Sequence, residues 1–333
     1  MPFSRNQWRS VAVALAASAL ATVNSPLARA QASSGIAGVK WAAEVPLLEC
    51  DGTPCVDARI GDAKSVRLGI DTGNADSVVD SKAAGAAGMR PSEPVKAGAP
   101  AGMFRTVMEG VQVGALTLPR VSAIGMDLSD MIAHKQMPHV NGTLAYPAFK
   151  DRIVQLDFVA HKLRVSEVLT TPVKCTGACD TMALITFGKE GPPIVVADGF
   201  AINGVNVSAQ VDTMFTGSLL AYTASIEKLS LSGAARTTDV RLFPLTDGGV
   251  NMKVAEAQQE GFDGIVLAKE GAKVYFPTEA VHEPDGLFDA TVGLELFRDA
   301  VLTLDFHDMT ISVAKPARPS SLARKTTSRY TWV

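Results

Sequence analysis

The sequence predicts an all-β protein with two similar lobes, made by an internal duplication, and with few short helices. Residues 68–73 (Leu-Gly-Ile-Asp-Thr-Gly) recur in altered form 141 positions later, at residues 209–214 (Ala-Gln-Val-Asp-Thr-Met). Residues 143–151 recur 148 positions later, at residues 291–299. Self-similarity at a long and nearly constant spacing indicates a duplication with a short insertion in one copy. The 28 glycines and 18 prolines fit the many turns of such a protein better than they fit a helical bundle.

The first half is predicted to consist of strands separated by turns. Residues 45–60 predict a hairpin around a turn at residues 50–55, and residues 66–70 predict an apolar strand that delivers Asp71. The elements that follow in order are a strand from residue 77 to 80, a short Ala-rich helix at 81–88, a Gly- and Pro-rich stretch at 96–104, and strands at 107–118 and 121–126.

The second half repeats this order. Residues 193–211 predict a strand, a turn and a second strand, and the turn holds Asn-Gly at residues 203–204, which is a strong hairpin signal. Residues 221–229 match the short helix of the first half. Residues 240–243 and 251–255 are predicted to form a hairpin equivalent to the stretch at 96–104.

The N-terminus has the pattern of a signal peptide. Arg5 and Arg9 precede an apolar run at residues 11–23, and an Ala-x-Ala cleavage pattern ends at Ala30. The alternative is an uncleaved anchor helix, but the run is short for a membrane span. We therefore expect export, cleavage near Ala30, a periplasmic or extracellular location and no stable membrane anchor.

The rest of the chain divides into five predicted parts. A small, polar stretch follows the signal peptide, and the end of the chain is basic, with five Lys or Arg from residue 314 onwards. The boundaries are a flexible leader at 31–39, an N-terminal lobe at 40–169, a linker at 170–182, a C-terminal lobe at 183–315 and a basic tail at 316–333.

Charge argues against nucleic acid as a partner. The chain has 31 basic and 34 acidic residues, and residues 1–30 contain three Arg and no acidic residue. The mature chain would therefore carry 28 basic and 34 acidic residues, a net charge of −6. Nucleic-acid-binding proteins usually have a basic surface instead.

Export makes the four cysteines candidates for disulfide bonds. Cys50 and Cys55 flank a turn sequence, and Cys175 and Cys179 lie at the junction of the halves. Three pairings are possible for four cysteines. We favour Cys50–Cys55 and Cys175–Cys179, because each pair already flanks a turn. A zinc site is the alternative, but these spacings match zinc-binding patterns poorly.

Other chemistries have little support in the sequence. It contains no His-Glu-x-x-His and no Gly-x-Ser-x-Gly motif. The five His are scattered, and His134 and His139, although close, are expected to be surface or loop residues. The sequence predicts neither a metal ion nor a cofactor.

The duplicated Asp-Thr pairs indicate the chemistry. Asp71 and Asp212 each follow an apolar strand, once in each half. Two halves that each present one carboxylate at a strand end predict one site with two facing carboxylates. Such a pair shares one proton and is suited to acid and base activation of water.

These residues resemble those of the pepsin and retropepsin family of aspartic peptidases, in a bacterial secreted form. The resemblance covers residues 40–315 and rests on the two Asp-Thr motifs and on the later triplets at 143–145 and 291–293. It implies two β-barrel lobes, one catalytic Asp from each, and a monomer that binds extended peptide or unfolded protein. It also implies that Thr72 and Thr213 support the two active-site loops through reciprocal hydrogen bonds.

The chain departs from the family pattern at two positions. Ala145 stands where the first lobe usually has Gly, and Met214 stands where the family has the Gly of the second motif, the counterpart of Gly73. Two functions therefore remain open: an active aspartic endopeptidase, and a catalytically inactive fold that binds peptides or proteins. If the pair is catalytic, Met214→Gly is expected to keep or raise the activity.

Overall fold

The structure is a computed structural model. It describes residues 38–62, 65–94, 102–133, 137–186, 193–222, 225, 228–229, 236–242, 250–277 and 287–316. All of them belong to one compact unit, Gln31–Val333. Several predictions lie outside the described residues: the signal peptide at 1–30, all but the last two residues of the leader, residues 96–101 of the Gly- and Pro-rich stretch, His134, and the tail from residue 317.

Strands form most of the described chain, with two short helices and two single 3-10 turns. In the first half the strands and helices are β1 Trp41–Pro46, β2 Leu48–Cys50, β3 Thr53–Ile60, β4 Val66–Asp71, β5 Ser77–Asp80, α1 Ser81–Ala86, β6 Glu93–Pro94, β7 Phe104–Val113, β8 Leu116–Met126, α2 Ser129–Ala133, β9 Gly142–Ala145, β10 Ile153–Asp157 and β11 Lys162–Ser166.

The strands of the second half are β12 Cys179–Thr186, β13 Pro193–Ile202, β14 Val205–Asp212, β15 Leu219–Ala221, β16 Arg236–Leu242, β17 Val250–Phe262, β18 Ile265–Pro277, β19 Ala290–Gly293, β20 Val301–Asp305 and β21 Thr310–Ala314. The 3-10 turns are Tyr146–Phe149, after β9, and Leu294–Phe297, after β19.

The first lobe is a sheet of eight strands in the order β2-β3-β4-β9-β5-β8-β7-β6. Strand β3 also pairs with β7, through Arg59 with Gln112 and Ile60 with Val111. Because β3 and β7 lie far apart in the strand order, this pairing curls the sheet into a barrel.

The second lobe repeats this topology strand for strand. Its order β13-β14-β19-β15-β18-β17, closed by a pairing of β13 with β17, matches β3-β4-β9-β5-β8-β7 with its closure of β3 on β7. Parallel pairs also fall at equivalent places, β4 with β9 and β14 with β19. The predicted all-β, two-lobed fold class is confirmed.

A run of six strands, β1-β11-β10-β20-β21-β12, joins the lobes, and the sequence did not predict it. Strand β10 of the first half pairs antiparallel with β20 of the second. Gln155 lies opposite Thr303, its own counterpart in the duplication, and its Nε2 donates to Thr303 Oγ1 at 3.1 Å. Equivalent residues that face each other place a local two-fold axis between them, so the lobes are related by that axis.

Alternation of apolar and polar side chains builds the core of each lobe. In β8 the buried residues recur at every second position over most of the strand, as expected for a strand with one face against the core. In the second lobe the rings of Phe200, Phe262 and Phe297 are buried and in contact, with centroids 5.0 and 6.2 Å apart. Each such ring removes about 150–250 Å² from water, so this cluster contributes strongly to the stability of the barrel.

The predicted helix at 81–88 is confirmed, and the residues at its ends explain its length. Asp80 caps α1, because its Oδ1 accepts hydrogen bonds from the amides of Lys82 at 3.0 Å and Ala83 at 3.1 Å. Gly88 follows the helix with a φ of +69°, a conformation that glycine adopts at low cost. The matching helix at 221–229 is described only in part, by a helical hydrogen bond from Leu229 N to Ser225 O at 2.9 Å.

The predicted break between the strands at 107–118 and 121–126 is wrong. The turn lies instead at Gly114, whose φ of +59° reverses the chain between β7 and β8. Pro119 stays inside β8, opposite Gly110, at a point where the pairing of β7 and β8 skips one residue pair. A proline lacks the amide proton that a sheet needs, so it fits where the ladder is interrupted.

Both local disulfide bonds are present as predicted. Cys50–Cys55 closes the β2–β3 hairpin with a Cα–Cα distance of 6.0 Å. Cys175–Cys179 joins the segment before β12 to the first residue of that strand, with a Cα–Cα distance of 6.3 Å. Two disulfide bonds fit an exported protein. Over the described ranges, no helix is long and apolar enough to cross a membrane.

Candidate active site

The fold brings the two Asp-Thr loops together. Asp71 is the last residue of β4 and Asp212 is the last residue of β14. Each strand ends beside a parallel partner, with Asp71 opposite Ala145 of β9 and Asp212 opposite Gly293 of β19. Hydrogen bonds between Thr72 and Thr213 show that these strand ends meet where the two lobes face each other.

Reciprocal hydrogen bonds connect the two loops. Thr72 Oγ1 donates to the carbonyl of Val211 at 2.8 Å and accepts from Thr213 N at 3.2 Å. Thr213 Oγ1 donates to the carbonyl of Ile70 at 2.5 Å and accepts from Thr72 N at 3.2 Å. Both Thr residues are fully buried, so these bonds are shielded from water and fix one loop against the other.

Backbone amides surround each carboxyl group in equivalent ways. Asp212 Oδ1 accepts from Met214 N at 2.8 Å and from Phe215 N at 3.1 Å. Asp71 accepts hydrogen bonds from the amides of Gly73 and Asn74 and from the Asn74 side chain. These donors orient the carboxyl groups and favour their charged forms, in opposition to burial.

The two carboxyl groups have raised pKa values. Asp71 is buried, and desolvation followed by the charge of Asp212 raises its pKa to about 8. Desolvation also raises the pKa of Asp212. Two nearby carboxyl groups that each resist ionisation retain one proton between them near neutral pH. The site therefore offers one acid and one base at the same time.

Gly73 is required where it stands because Asp212 lies directly against it. A Cβ atom placed on Gly73 would lie 2.6 Å from Asp212 Cβ and 2.8 Å from its Oδ1. Side chains do not approach so closely, so any other residue would displace the Asp212 carboxyl group.

Met214, the counterpart of Gly73, places its side chain against the opposite lobe. A Cβ on Gly69 would lie 3.1 Å from Met214 Sδ and 3.3 Å from its Cε, so the thioether occupies the space that a side chain at position 69 would fill. Met214 is also not among the described residues with a positive φ, so its backbone adopts a conformation open to any side chain.

Gln210 is the counterpart of Gly69 and completes an exchange of large and small residues. Its Nε2 donates to the carbonyl of Gly73 at 2.6 Å, and its Oε1 accepts from Thr291 Oγ1 at 3.2 Å. Across one side of the interface Gly69 faces Met214, and across the other Gln210 faces Gly73. The side chain that is lost at position 69 therefore provides room for the side chain gained at position 214.

Sequence reasoning identified Met214 but missed Gly69 and Gln210. The aligned repeats contained the signal, since both residues stand two positions before an Asp, and one is Gly where the other is Gln. Only the structure shows that each of them contacts the loop of the other lobe.

The predicted residues outside the Asp-Thr loops lie in two further places. The tip of the Cys50–Cys55 hairpin reaches the second loop, since a Cβ on Gly52 would lie 3.8 Å from Thr216 Cγ2. The same tip carries Asp51, whose Oδ2 is 2.6 Å from Nδ1 of the exposed His139. The Cys175–Cys179 disulfide belongs to the linker region and to the central strands.

A group of possible metal ligands lies away from these loops. In the described chain, Asp305, His307 and Asp308 have ligand atoms within 4.8 Å of one another, in the turn between β20 and β21. His307 Nδ1 lies 2.7 Å from Asp308 Oδ1, and the other Asp308 oxygen accepts from Val173 N at 2.8 Å, so these side chains already serve local structure.

Comparison with known proteins gives one finding on the fold. No family model matches the chain, and no curated protein matches it. Among solved structures the chain is similar to an aspartic proteinase from Irpex lacteus, with a TM-score of 0.46 and 12% sequence identity, over 83% of this chain and 97% of that chain. At this level of similarity the comparison carries no inference about activity, which therefore depends on the site itself.

Proposed function

We propose that the protein is an aspartic-type endopeptidase that hydrolyses extended peptide or unfolded protein. The observation that supports this most is the pair Asp71 and Asp212, each at a strand end of a different lobe, with both pKa values raised. The reciprocal Thr72–Thr213 bonds hold the two loops in register.

The proposed mechanism uses the proton that the pair shares. The ionised carboxylate takes a proton from a bound water, and the protonated carboxyl group donates a hydrogen bond to the carbonyl oxygen of the scissile peptide bond. The hydroxide so formed attacks the carbonyl carbon, and the carbonyl oxygen takes the proton of the acid, which gives a tetrahedral diol without a covalent bond to the enzyme. The carboxyl group that took the proton from water then passes it to the amide nitrogen as the C–N bond breaks. A hydroxyl proton of the diol returns to the other carboxylate, so the pair again holds one proton. Since each role belongs to one carboxyl group at a time, neither Asp71 nor Asp212 can be replaced by Asn without loss of the acid or the base.

The activity is expected to depend on pH through the same proton. The pKa of about 8 at Asp71 means that the pair keeps its proton through neutral pH and loses it above about pH 8. With both groups ionised, no acid remains to polarise the carbonyl. Hydrolysis should therefore extend from acidic to neutral pH and fall reversibly in alkaline solution.

The alternative is a catalytically inactive module that binds extended peptides, and it rests on Met214. The contact of Met214 with Gly69 weakens this alternative, because the large residue has a matching small partner. From the N-terminal sequence and the two disulfide bonds we further propose that the protein is exported. The resemblance of its sequence to aspartic peptidases leads us to propose also a monomer without a cofactor.

Cleavage of an unstructured protein at acidic and neutral pH tests the proposal. The wild-type chain should produce fragments, and Asp71→Asn should produce none while it keeps the far-ultraviolet circular dichroism of the wild type. If the wild type cleaves nothing at any pH but retains extended peptides on a binding assay, the peptidase is excluded and the binding module is supported.

A further inference from the structure

Glu260 is a buried carboxyl group that the proposed catalytic chemistry does not use. It lies in β17 and is 1% exposed. Neither Oε1 nor Oε2 has a hydrogen-bond partner among the described residues. A buried polar group without a partner is rare in folded proteins, and a buried charge without one is strongly unfavourable. This side chain therefore needs an explanation other than packing.

The duplication shows what usually occupies this position. Glu260 pairs with Ile202 where the second barrel closes, as Val111 pairs with Ile60 where the first barrel closes. Both residues also stand two positions before the end of their strand, which ends at Phe262 in β17 and at Val113 in β7. The same place in the fold thus holds an apolar core residue in one lobe and a carboxyl group in the other.

The groups near Glu260 do not neutralise it. Desolvation, followed by the charge of Glu295, raises its pKa to about 8, and the Ser218 hydroxyl acts in the opposite sense. That hydroxyl, however, donates its proton to the carbonyl of Lys273 in β18 at 2.6 Å. Also near β18, the ammonium of Lys315 donates to the carbonyl of Leu267. On the described elements around Glu260, the charge that acts on it is thus a negative one.

Glu260 is connected to the second active-site loop through its neighbours. Ser218 lies six residues after Asp212, and its carbonyl accepts from Gly293 N at 2.8 Å. The amide of Glu295 donates to the carbonyl of Gly217 at 3.3 Å. The residues that surround the carboxyl group are therefore the same ones that hold the Asp212 loop against β19 and the 3-10 turn after it.

We propose that Glu260 is a proton-controlled latch on the second active-site loop. Its neutral form closes the second barrel behind Asp212, and its ionisation opens the seam between β13 and β17. This seam is short, with three residue pairs, and Glu260 forms one of them. The regulatory role rests on the proposed function, but the opening of the barrel does not. Above the pKa of Glu260, the loop of Asp212 loses its support and the enzyme is inactivated.

The direction of the pH effect follows from the raised pKa. In the unfolded chain the carboxyl group ionises at its ordinary value of 4.5, while the folded chain keeps it neutral up to about pH 8. As the pH rises from 4.5 to about 8, the free energy of unfolding therefore decreases steadily. Above about pH 8 the decrease stays constant. Glu260 alone makes the unfolding equilibrium constant rise about tenfold per pH unit in this window, on the order of a thousandfold in total.

Equilibrium denaturation at a series of pH values from 4 to 9 tests the latch without any need for activity. In the wild type the unfolding equilibrium constant should rise by about a thousandfold over this range because of Glu260. This rise should be absent from Glu260→Val, which has the residue found in the first lobe, and from Glu260→Gln. Because the pair Asp71 and Asp212 contributes equally in all three proteins, the difference isolates Glu260. Glu109→Gln, at an exposed carboxylate of β7, should keep the wild-type dependence on pH. Equal pH dependence in the wild type and in both Glu260 variants would overturn the proposal.

Hydrogen exchange of the wild type provides a second measurement in case a variant does not fold. With the intrinsic pH dependence removed, the amides of β13 and β17 should lose protection between pH 6 and pH 9, while those of β3 and β7 should not. Uniform protection in both lobes would contradict the latch. If peptide hydrolysis is observed, activity after a jump from pH 9 to pH 5 should return slowly in the wild type, as the seam closes, but at once in Glu260→Val. Loss of the Asp71 proton is instead immediately reversible, so the two effects are separable.

Discussion

At the scale of single residues, the interface between the two Asp-Thr loops depends on two pairs that exchange large and small side chains. Gly69 faces Met214, and Gln210 faces Gly73. A Met beside a catalytic carboxyl group would otherwise be expected to disturb its geometry, since about 1 Å of misplacement can lower a rate about a hundredfold. The matching Gly at position 69 removes this conflict.

The exchange predicts the effect of Met214→Gly. On sequence alone this substitution was expected to keep or raise the activity, whereas the structure predicts an unfilled space beside Gly69. We expect the free energy of unfolding to fall by about 2 kcal/mol, because a partly buried side chain is lost and a cavity remains. Gly69→Gln alone should also destabilise, by about 1–3 kcal/mol, since its Cβ would crowd Met214.

The double variant Gly69→Gln with Met214→Gly recreates the pairing of the other side of the interface. It should be more stable than the sum of the single effects predicts, with a coupling of about 1–2 kcal/mol in a double-mutant cycle. Urea denaturation of the four proteins measures this directly. Additive effects would mean that Gly69 and Met214 do not accommodate each other.

At the scale of secondary-structure elements, the two loops are positioned by strand ends and fixed by Thr72 and Thr213. Thr72→Val keeps the shape of the side chain but removes its hydrogen bonds with the Val211 carbonyl and the Thr213 amide. We expect a loss of about 1–3 kcal/mol in the free energy of unfolding. The rate constant for peptide hydrolysis should fall more than the apparent affinity. Thr72→Ser keeps the hydroxyl and should therefore retain most of the wild-type stability and most of the wild-type rate constant. If it does not, the methyl group of Thr72 matters and the hydrogen bonds do not.

The disulfide hairpin is a second element with a testable role. The double variant Cys50→Ser with Cys55→Ser removes a bond that closes a short loop, which contributes about 2 kcal/mol to stability on chain-entropy grounds. Because the hairpin tip lies beside Thr216, activity should also fall. The matched control is the double variant of Cys175 and Cys179, which should lose similar stability without a direct effect on the loop. Equal losses of activity in both would contradict a role for the hairpin at the site.

Elements with strong local signals were predictable, and those set by distant pairing were not. The strand before Asp71 and the helix after Asp80 follow from an apolar run and from a capping residue with a terminal Gly. The alternation of residues 107–118 and 121–126 predicts a break at residues 119–120, where no turn forms. The structure uses Gly114, and a gap in the pairing opposite Gly110 accommodates the proline.

At the scale of the whole molecule, the duplication determines both the fold and the site. The repeated motifs predicted two lobes of one topology, and the matching strand orders bear this out. The joining strands β10 and β20 could not be derived, because nothing in either repeat indicates that equivalent strands pair with each other. The role of Glu260 could not be derived from the sequence either, because it depends on the strand register. That register places Glu260 opposite Ile202, at the position that Val111 occupies in the first lobe.

The central claim is that Asp71 and Asp212 act as one acid-base pair, and the non-additivity of their removal tests it most directly. We expect Asp71→Asn and Asp212→Asn each to lower kcat/KM for an unstructured substrate by about a thousandfold or more. The double variant should be no more than about tenfold worse than either single one, because each substitution already disables the shared proton. Circular dichroism should show all three variants folded. Unchanged hydrolysis in either single variant, or losses that multiply in the double variant, would contradict the claim.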